Sequence, residues 1–127
     1  HRKANEAVIF MGHGTHHPSN AFYSALMYNL QQIDTNAYVA VVEGWPLLAD
    51  IKEELEQKQI EKVYLLPCMS VAGDHIRNDM AGADPDSWKS MLNKDGIECE
   101  TVLKGTAEYD DIVDIWVGHL KDAMAHF

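Results

Sequence analysis

Arginine is scarce in this sequence, and acidic residues outnumber basic ones. The chain of 127 residues has two arginines, Arg2 and Arg77, and a formal net charge of −10. A protein that binds nucleic acid needs a basic surface to offset the phosphate charge. Sites that hold phosphate groups commonly rely on arginine. The composition therefore argues against a nucleic-acid partner and disfavours phosphate chemistry.

Long hydrophobic runs and paired cysteines are also missing. No apolar run approaches the roughly 20 residues that a membrane-spanning helix needs. Residues 1–6 are polar, unlike the apolar stretch of a signal peptide. Cys68 and Cys99 form no CxxC pair, so they are typical of small buried side chains rather than of a disulfide framework. We expect a cytoplasmic protein without a membrane partner, or a periplasmic one if a signal peptide has been removed.

Short apolar runs alternate with helical patterns along the chain. Residues 7–11, 38–42, 63–66 and 99–103 are predicted strands, and their continuous apolar character is typical of a buried parallel sheet. Helical spacing between them places apolar residues on one face of each helix; the first three such sets are Phe22, Leu26, Leu30 and Ile33; Leu48, Ile51 and Leu55; and Trp88, Met91 and Leu92. We predict one three-layer α/β/α domain with a parallel four-stranded sheet in the flavodoxin-like order 2-1-3-4.

Two parts of this fold carry specific predictions. The third strand, residues 63–66, should be central and buried on both faces. In the last helix, one face carries Ile112, Ile115, Trp116 and Leu120, which should pack against the sheet. An exposed Trp116 would point instead to an interface between two lobes.

Three residues with metal-binding side chains follow predicted strands. His13 comes after the first strand, Glu43 after the second, and His75 lies in the segment after the third. Ligands of open parallel sheets bind beyond the carboxyl ends of the strands. Imidazole and carboxylate together suit Co, Ni, Fe and Zn, and three ligands leave positions open for exchange. Taken singly, each residue also fits an ordinary loop or capping role, so spacing alone leaves the metal site as one of two alternatives.

The segment Gly12-His13-Gly14 invites two other interpretations. A dinucleotide-binding loop needs G-x-G-x-x-G, but His17 stands where the third glycine would be. A histidine phosphatase would need arginines around its histidine, and Met11 precedes Gly12 where one would help. The sequence therefore disfavours both.

Two segments resemble a known family. Residues 11–18 (MGHGTHHP) resemble the histidine-rich loop of the anaerobic sirohydrochlorin cobaltochelatases, the long form of the class II tetrapyrrole chelatases. Residues 71–75 (VAGDH), followed by NDMA at 78–81 and DSWK at 86–89, resemble their second signature. The motifs have the family's order, with Glu43 between them, and the similarity covers essentially all 127 residues.

The resemblance implies a function and a set of site residues. The family is bilobal, and residues 1–127 resemble its C-terminal lobe, without the N-terminal one. The family's metal ligands correspond to His13, Glu43 and His75, and His13 would also take protons from the pyrrole nitrogens. Residues expected to contact the macrocycle are Gly14, Thr15, His16, Ser70, Val71 and Ala72.

The implied reaction is insertion of Co(II) into sirohydrochlorin or a related precorrin in anaerobic cobalamin biosynthesis. Co(II) is then a substrate, Fe(II), Ni(II) and Zn(II) suit the same ligands, and no organic cofactor is expected. The partner would be the N-terminal lobe or a second copy of the chain. The alternatives are a nickel or iron chelatase, and a metal- or haem-binding storage module without catalysis, which the neighbouring His16 and His17 would also suit.

Overall fold

The computed structural model describes residues 2–74 and 76–127. Its strands and helices alternate along the chain, as β1 (Glu6–Gly14), α1 (Ala21–Ile33), β2 (Ala37–Glu43), α2 (Leu48–Gln57), β3 (Lys62–Pro67), α3 (Trp88–Lys94), β4 (Glu98–Thr101) and α4 (Asp110–Met124). Short 3-10 turns at Pro18–Asn20 and Thr106–Glu108 precede α1 and α4, and a π-helical turn at Ile76–Met80 precedes α3.

The four strands form one parallel sheet in the order β2-β1-β3-β4. The predicted fold class and strand order are therefore confirmed. β1 lies between β2 and β3, so that Ile9 is opposite Tyr38 on one side and Leu65 on the other. From β1 the chain continues to β2 on one side of the sheet and then to β3 on the other. The switch in strand order therefore lies next to β1, whose carboxyl end carries His13.

The main hydrophobic cluster lies on one face of the sheet, and Val39 and Val41 are buried on the other. Every second residue of β1, namely Ala7, Ile9 and Met11, is fully buried in the main cluster. The helices α2 and α3 cover the face with this cluster, and the predicted apolar face of α2 is confirmed because Leu48, Ile51 and Leu55 are buried in the same cluster. Trp88 and Leu92 of α3 complete it.

The opposite face of the sheet is less completely covered. Helix α1 packs against β2, and its Tyr23 ring lies so close to Gly12 that a Cβ there would be 2.3 Å from the ring. The prediction that residues 63–66 are buried on both faces was wrong, because Tyr64 and Leu66 are only half-buried. Alternate residues of a strand face opposite sides, and this side lacks a full helical layer.

The predicted packing of the last helix was also wrong. No residue of α4 is buried, and Trp116 and Leu120 remain 44% and 59% exposed. The helix packs mainly against the turn that precedes it. The apolar stripe of α4 therefore exists as predicted, but this chain does not cover it. Two apolar residues of α1, Phe22 and Ile33, are exposed as well.

Local interactions fix the ends of several elements. The Ser87 side chain caps α3 by accepting a hydrogen bond from the Ser90 N–H at 3.1 Å. At the other end of the domain, burial raises the pKa of Asp34. The Asn36 N–H and the Arg2 guanidinium outweigh that effect, so the pKa lies below its ordinary value.

Among the described residues, no helix is long and apolar enough to cross a membrane.

Candidate functional site

The loops at the carboxyl edge of the sheet contain nearly all of the predicted site residues. His13 lies near the end of β1 and Glu43 at the end of β2, and both side chains are exposed. Segment 68–74 follows β3, and the turn Thr106–Glu108 follows β4. Parallel strands bring these loops to one edge, where open α/β sheets bind ligands.

A neighbouring backbone carbonyl orients the His13 imidazole. Its Nδ1 lies 3.0 Å from the Gly14 carbonyl oxygen. A carbonyl oxygen only accepts hydrogen bonds, so Nδ1 carries the hydrogen and the lone pair lies on Nε2. Metal-binding histidines commonly donate their second ring N–H to a backbone carbonyl in this way. The contact therefore suits His13 to metal binding through Nε2.

The backbones that carry His13 and Glu43 are in direct contact. Gly14 is the register partner of Glu43 in the sheet, and a Cβ on Gly14 would lie only 1.7 Å from the Glu43 carbonyl oxygen. Gly14 also has φ of 77°, a conformation that favours glycine. His13 is one residue before this pairing, so its side chain and that of Glu43 start from alternate faces. They can meet at one ion only beyond the edge of the sheet.

The third predicted ligand, His75, lies outside the described residues. Of its neighbours, Asp74 is exposed and Ile76 is fully buried in the core at the start of the π-helical turn. Within residues 2–74 and 76–127 no three His, Cys, Asp or Glu side chains form a metal-binding group. The convergence of His13, Glu43 and His75 therefore stays a prediction.

The residues expected to contact the macrocycle fall in two of these loops. Gly14, Thr15 and His16 follow His13, and Ser70, Val71 and Ala72 follow β3. Among them, His16 and Ser70 are exposed and Val71 is 71% exposed, whereas Gly14 is buried and Thr15 and Ala72 are half-buried. Their contact with a macrocycle stays a prediction.

The turn after β4 supports the second of these loops, and the sequence did not reveal this role. The Thr106 N–H donates to the Met69 carbonyl at 2.8 Å and the Ala107 N–H donates to the Ser70 carbonyl at 3.1 Å. A Cβ on Gly105 would lie 2.4 Å from the Ser70 carbonyl oxygen. Gly105, two residues after the predicted strand 99–103, was the available signal, but a glycine alone does not indicate which loop packs against it.

The histidines that follow His13 differ in their surroundings. His17 Nδ1 accepts a hydrogen bond from the Ser19 N–H at 3.1 Å and so caps the turn Pro18–Asn20. The His17 N–H in turn donates to the Thr15 hydroxyl oxygen at 3.1 Å. The His16 and His17 side chains are both exposed, but the hydrogen bonds make His17 part of the loop framework.

An apolar groove opens on the incompletely covered face of the sheet. It has a volume of about 310 Å³ and lies between α1 and the start of α4, where Phe10, Leu26, Leu30, Leu66 and Ile112 line it. Cys68 lies at its rim, and burial raises the pKa of the Cys68 thiol. The groove is separate from the exposed His13 and Glu43 side chains, since neither lines it.

Comparison with known proteins identifies the family. The family model described as cobalt chelatase (CbiK) matches residues 1–125. The chain belongs to the cobalt chelatase (CbiK) family. The family expected from residues 11–18 and 71–89 is therefore confirmed.

Two curated relatives are similar to this CbiK family member over nearly its whole length. The chain is 46% identical over 124 residues to sirohydrochlorin cobaltochelatase CbiKC of Nitratidesulfovibrio vulgaris, and 38% identical over 122 residues to sirohydrochlorin cobaltochelatase of Salmonella typhimurium. These matches cover 98% and 96% of the chain but 44% and 46% of the relatives. The chain therefore spans less than half the length of the curated relatives that it matches.

The fold is similar to that of a crystal structure from Marinobacter aquaeolei VT8, described as a CbiX protein of cobalamin (vitamin B12) biosynthesis. The TM-score is 0.78 at 17% identity, and the match covers 96% of this chain and 99% of the other. At this identity the likeness concerns the fold alone. A single domain of this architecture thus makes up that whole chain.

Proposed function

We propose that residues 1–127 are the metal-carrying lobe of a sirohydrochlorin cobaltochelatase, corresponding to its C-terminal half. In this proposal the whole protein inserts Co(II) into sirohydrochlorin, or a related precorrin, during anaerobic cobalamin biosynthesis. The observation that carries the proposal is the contact between the strand ends that bear His13 and Glu43, made through the pair Gly14 and Glu43. Membership of the CbiK family and the names of the two curated relatives support it.

Three side chains would hold the metal before transfer. His13 would bind through Nε2, Glu43 through a carboxylate oxygen, and His75 through an imidazole nitrogen. Three such ligands leave coordination positions open, so pyrrole nitrogens can replace water molecules and then protein ligands. Both described ligands are exposed beyond the sheet edge, and this exposure suits a site that must release its metal to a large planar substrate.

The reaction balances without any further reactant. A divalent cation enters the macrocycle while two pyrrole N–H protons leave, and nothing is oxidised or reduced. Imidazole can accept a proton near neutral pH, so Nε2 of His13 would take one pyrrole proton as its bond to the metal is released, and solvent water would take the other. This chemistry needs no organic cofactor. Fe(II), Ni(II) and Zn(II) would fit the same ligands, and the names of the relatives favour Co(II).

Co(II) titration of the full-length protein under anaerobic conditions tests the ligand assignment. Substituting Ala for His13, Glu43 or His75 should each weaken Co(II) binding strongly while leaving the circular dichroism spectrum unchanged. His13 and Glu43 are exposed and contribute little to the core. Matched controls are His119→Ala on α4 and Glu56→Ala on α2, both exposed and away from the sheet edge. Unchanged Co(II) affinity in the three ligand variants would contradict the assignment. Tight binding without metal insertion would instead favour a storage module.

The uncovered apolar surface supports a partner for this lobe. The α1–α4 face, as we name it, comprises the groove and the exposed large hydrophobic residues that share its side of each helix by helical spacing; these are Phe22, Leu26 and Ile33 on α1 and Ile115, Trp116 and Leu120 on α4. Exposed apolar surfaces of this kind mark interfaces. We assign this face to the other half of the longer protein, because the matched relatives are more than twice as long as the chain.

A charged residue placed in this face tests the assignment. Leu120→Lys should lower the melting temperature of the full-length protein and change that of residues 1–127 only slightly, because Leu120 is 59% exposed in this chain. Asp122→Lys places the same side chain on the exposed side of the same helix and is the control. Equal effects of the two variants in the full-length protein would contradict the assignment. A dimer of residues 1–127 that Leu120→Lys dissociates would assign the face to a second copy.

A further inference from the structure

We propose that Asn20 is a positioning residue that joins the loop carrying His13 to the loop carrying Glu43. The inference rests on the proposed function, because it concerns the alignment of two of its metal ligands. Asn20 ends the short turn Pro18–Asn20 and directly precedes α1. It belongs neither to the predicted ligands nor to the residues expected to contact the macrocycle.

The two ends of the Asn20 amide bind different loops. Its Oδ1 accepts a hydrogen bond from the Thr15 N–H at 3.0 Å, two residues after His13. Its Nδ2 donates to the Trp45 carbonyl oxygen at 2.6 Å, two residues after Glu43. One side chain thus bridges the continuations of β1 and β2 just beyond their last register pair.

Asn20 does this instead of capping its own helix. Asparagine is favoured before a helix because its side-chain oxygen accepts a hydrogen bond from the first turn. Here Asn20 precedes α1 but makes no such bond, and its own backbone is already helical with φ of −55°. The side chain is therefore committed to the two loops, and helix capping does not explain an asparagine at this position.

Close packing around Gly44 fits the same role. A Cβ on Gly44 would lie 2.7 Å from Asn20 Oδ1 and 2.8 Å from the Thr15 carbonyl oxygen. Gly44 also has φ of 96°, a conformation open to glycine but strained for other residues. The residue directly after Glu43 is thus pressed against both Asn20 and the His13 loop. A larger residue there would separate the two loops.

The consequence concerns metal affinity. His13 and Glu43 start from alternate faces of the sheet, so they converge on one ion only if both loops beyond the edge keep their relative positions. A side chain that orients metal ligands without touching the metal commonly contributes a 10- to 100-fold factor in affinity. We expect a loss of about this size when the Asn20 bridge is removed.

Anaerobic Co(II) titration of the full-length protein, followed by the visible absorption of bound Co(II), tests this role. Asn20→Ala removes both hydrogen bonds, and Asn20→Asp keeps an acceptor for the Thr15 N–H but replaces the donor that faces Trp45. The control is Asn29→Ala, which removes an exposed α1 asparagine that donates to the Ala25 carbonyl at 2.9 Å. Melting temperatures are measured on the same samples without metal.

Both Asn20 variants should bind Co(II) roughly 10- to 100-fold more weakly and with an altered Co(II) spectrum, while Asn29→Ala behaves as wild type. A lower melting temperature with unchanged Co(II) affinity and spectrum would overturn the proposal, because Asn20 would then be only structural. If Asn20→Ala does not fold, Asn20→Asp decides by the same criteria. If Glu43→Ala also leaves the affinity unchanged, the proposed metal site itself fails.

Discussion

A pair of leucine substitutions tests whether the core of the lobe lies mainly on the sheet face that α2 and α3 cover. Leu55 on α2 is fully buried in the cluster between α2, α3 and the sheet. Leu55→Ala removes apolar contacts and leaves a cavity, which costs about 2–5 kcal/mol in a core that relaxes only partly. Such a loss is a large share of the roughly 5–15 kcal/mol by which a domain is stable.

Leu120→Ala makes the same chemical change on α4, where the side chain is 59% exposed. Full burial of a leucine contributes about 1.5–3 kcal/mol, and less than half of that applies to Leu120. The unfolded chain also shields part of its apolar surface, so we expect a loss of about 0.5 kcal/mol. No cavity forms, because solvent fills the space.

Urea unfolding of residues 1–127, followed by circular dichroism, measures both changes. At this chain length, about 3 kcal/mol for Leu55→Ala corresponds to a fall of roughly 10 °C in melting temperature. Leu120→Ala should lie close to wild type. A loss of unfolding free energy for Leu120→Ala as large as that for Leu55→Ala would refute this account of the core. It would mean that α4 is packed in the isolated lobe.

Three further predictions concern single residues. Gly14→Ala should destabilise the lobe and weaken Co(II) binding, because its Cβ would meet the Glu43 carbonyl oxygen. Urea unfolding and titration measure this, and Gly118→Ala on α4, with open space around it, is the control. Because the pKa of Asp34 is lowered in the folded state, its stabilising effect is present above about pH 4 and is lost as the pH falls below that. Asp34→Asn should therefore lose less unfolding free energy than wild type between pH 5 and pH 3, and an equal loss would contradict this. Burial raises the pKa of Cys99 to about 11, and Lys89 lowers it only in part, so Cys99 should resist labelling by a disulfide reagent at pH 8 until the protein is unfolded.

The alternation of apolar runs and helical patterns was sufficient to predict the sheet. The strands at 7–11, 38–42 and 63–66 are each extended by one or more residues in the structure, and the strand order agrees. Handedness and short connections leave few arrangements for four such strands. Helix α2 was also predictable, since the spacing of Leu48, Ile51 and Leu55 defines a single apolar face, and these residues are the buried ones.

Periodicity could not predict how completely the second face of the sheet is covered. Trp116 and Leu120 form an apolar stripe in either case, but a stripe does not specify whether the sheet of the same chain or another lobe covers it. Tyr64 and Leu66 look like core residues in sequence for the same reason. In the structure both are only half-buried.

The candidate site was predictable where it follows strand ends. His13 and Glu43 lie at the carboxyl edge because parallel strands end there, and the rule needs only the strand assignments. The Asn20 bridge was not predictable, since Thr15 and Trp45 become its neighbours only through the loop conformations. In the sequence, helix capping is a sufficient explanation for an asparagine before a helix, so nothing indicates that Asn20 bridges two loops.

Metal insertion by the full-length protein tests the central claim most directly. Under anaerobic conditions, the change in sirohydrochlorin absorbance on addition of Co(II) gives kcat/KM for wild type, Glu43→Ala and Glu56→Ala. We predict that wild type and Glu56→Ala insert Co(II) equally well, while Glu43→Ala is slower by at least roughly 100-fold, because one of three metal ligands is lost. If Glu43→Ala inserts Co(II) at the wild-type rate, this lobe does not carry the metal site of a cobaltochelatase.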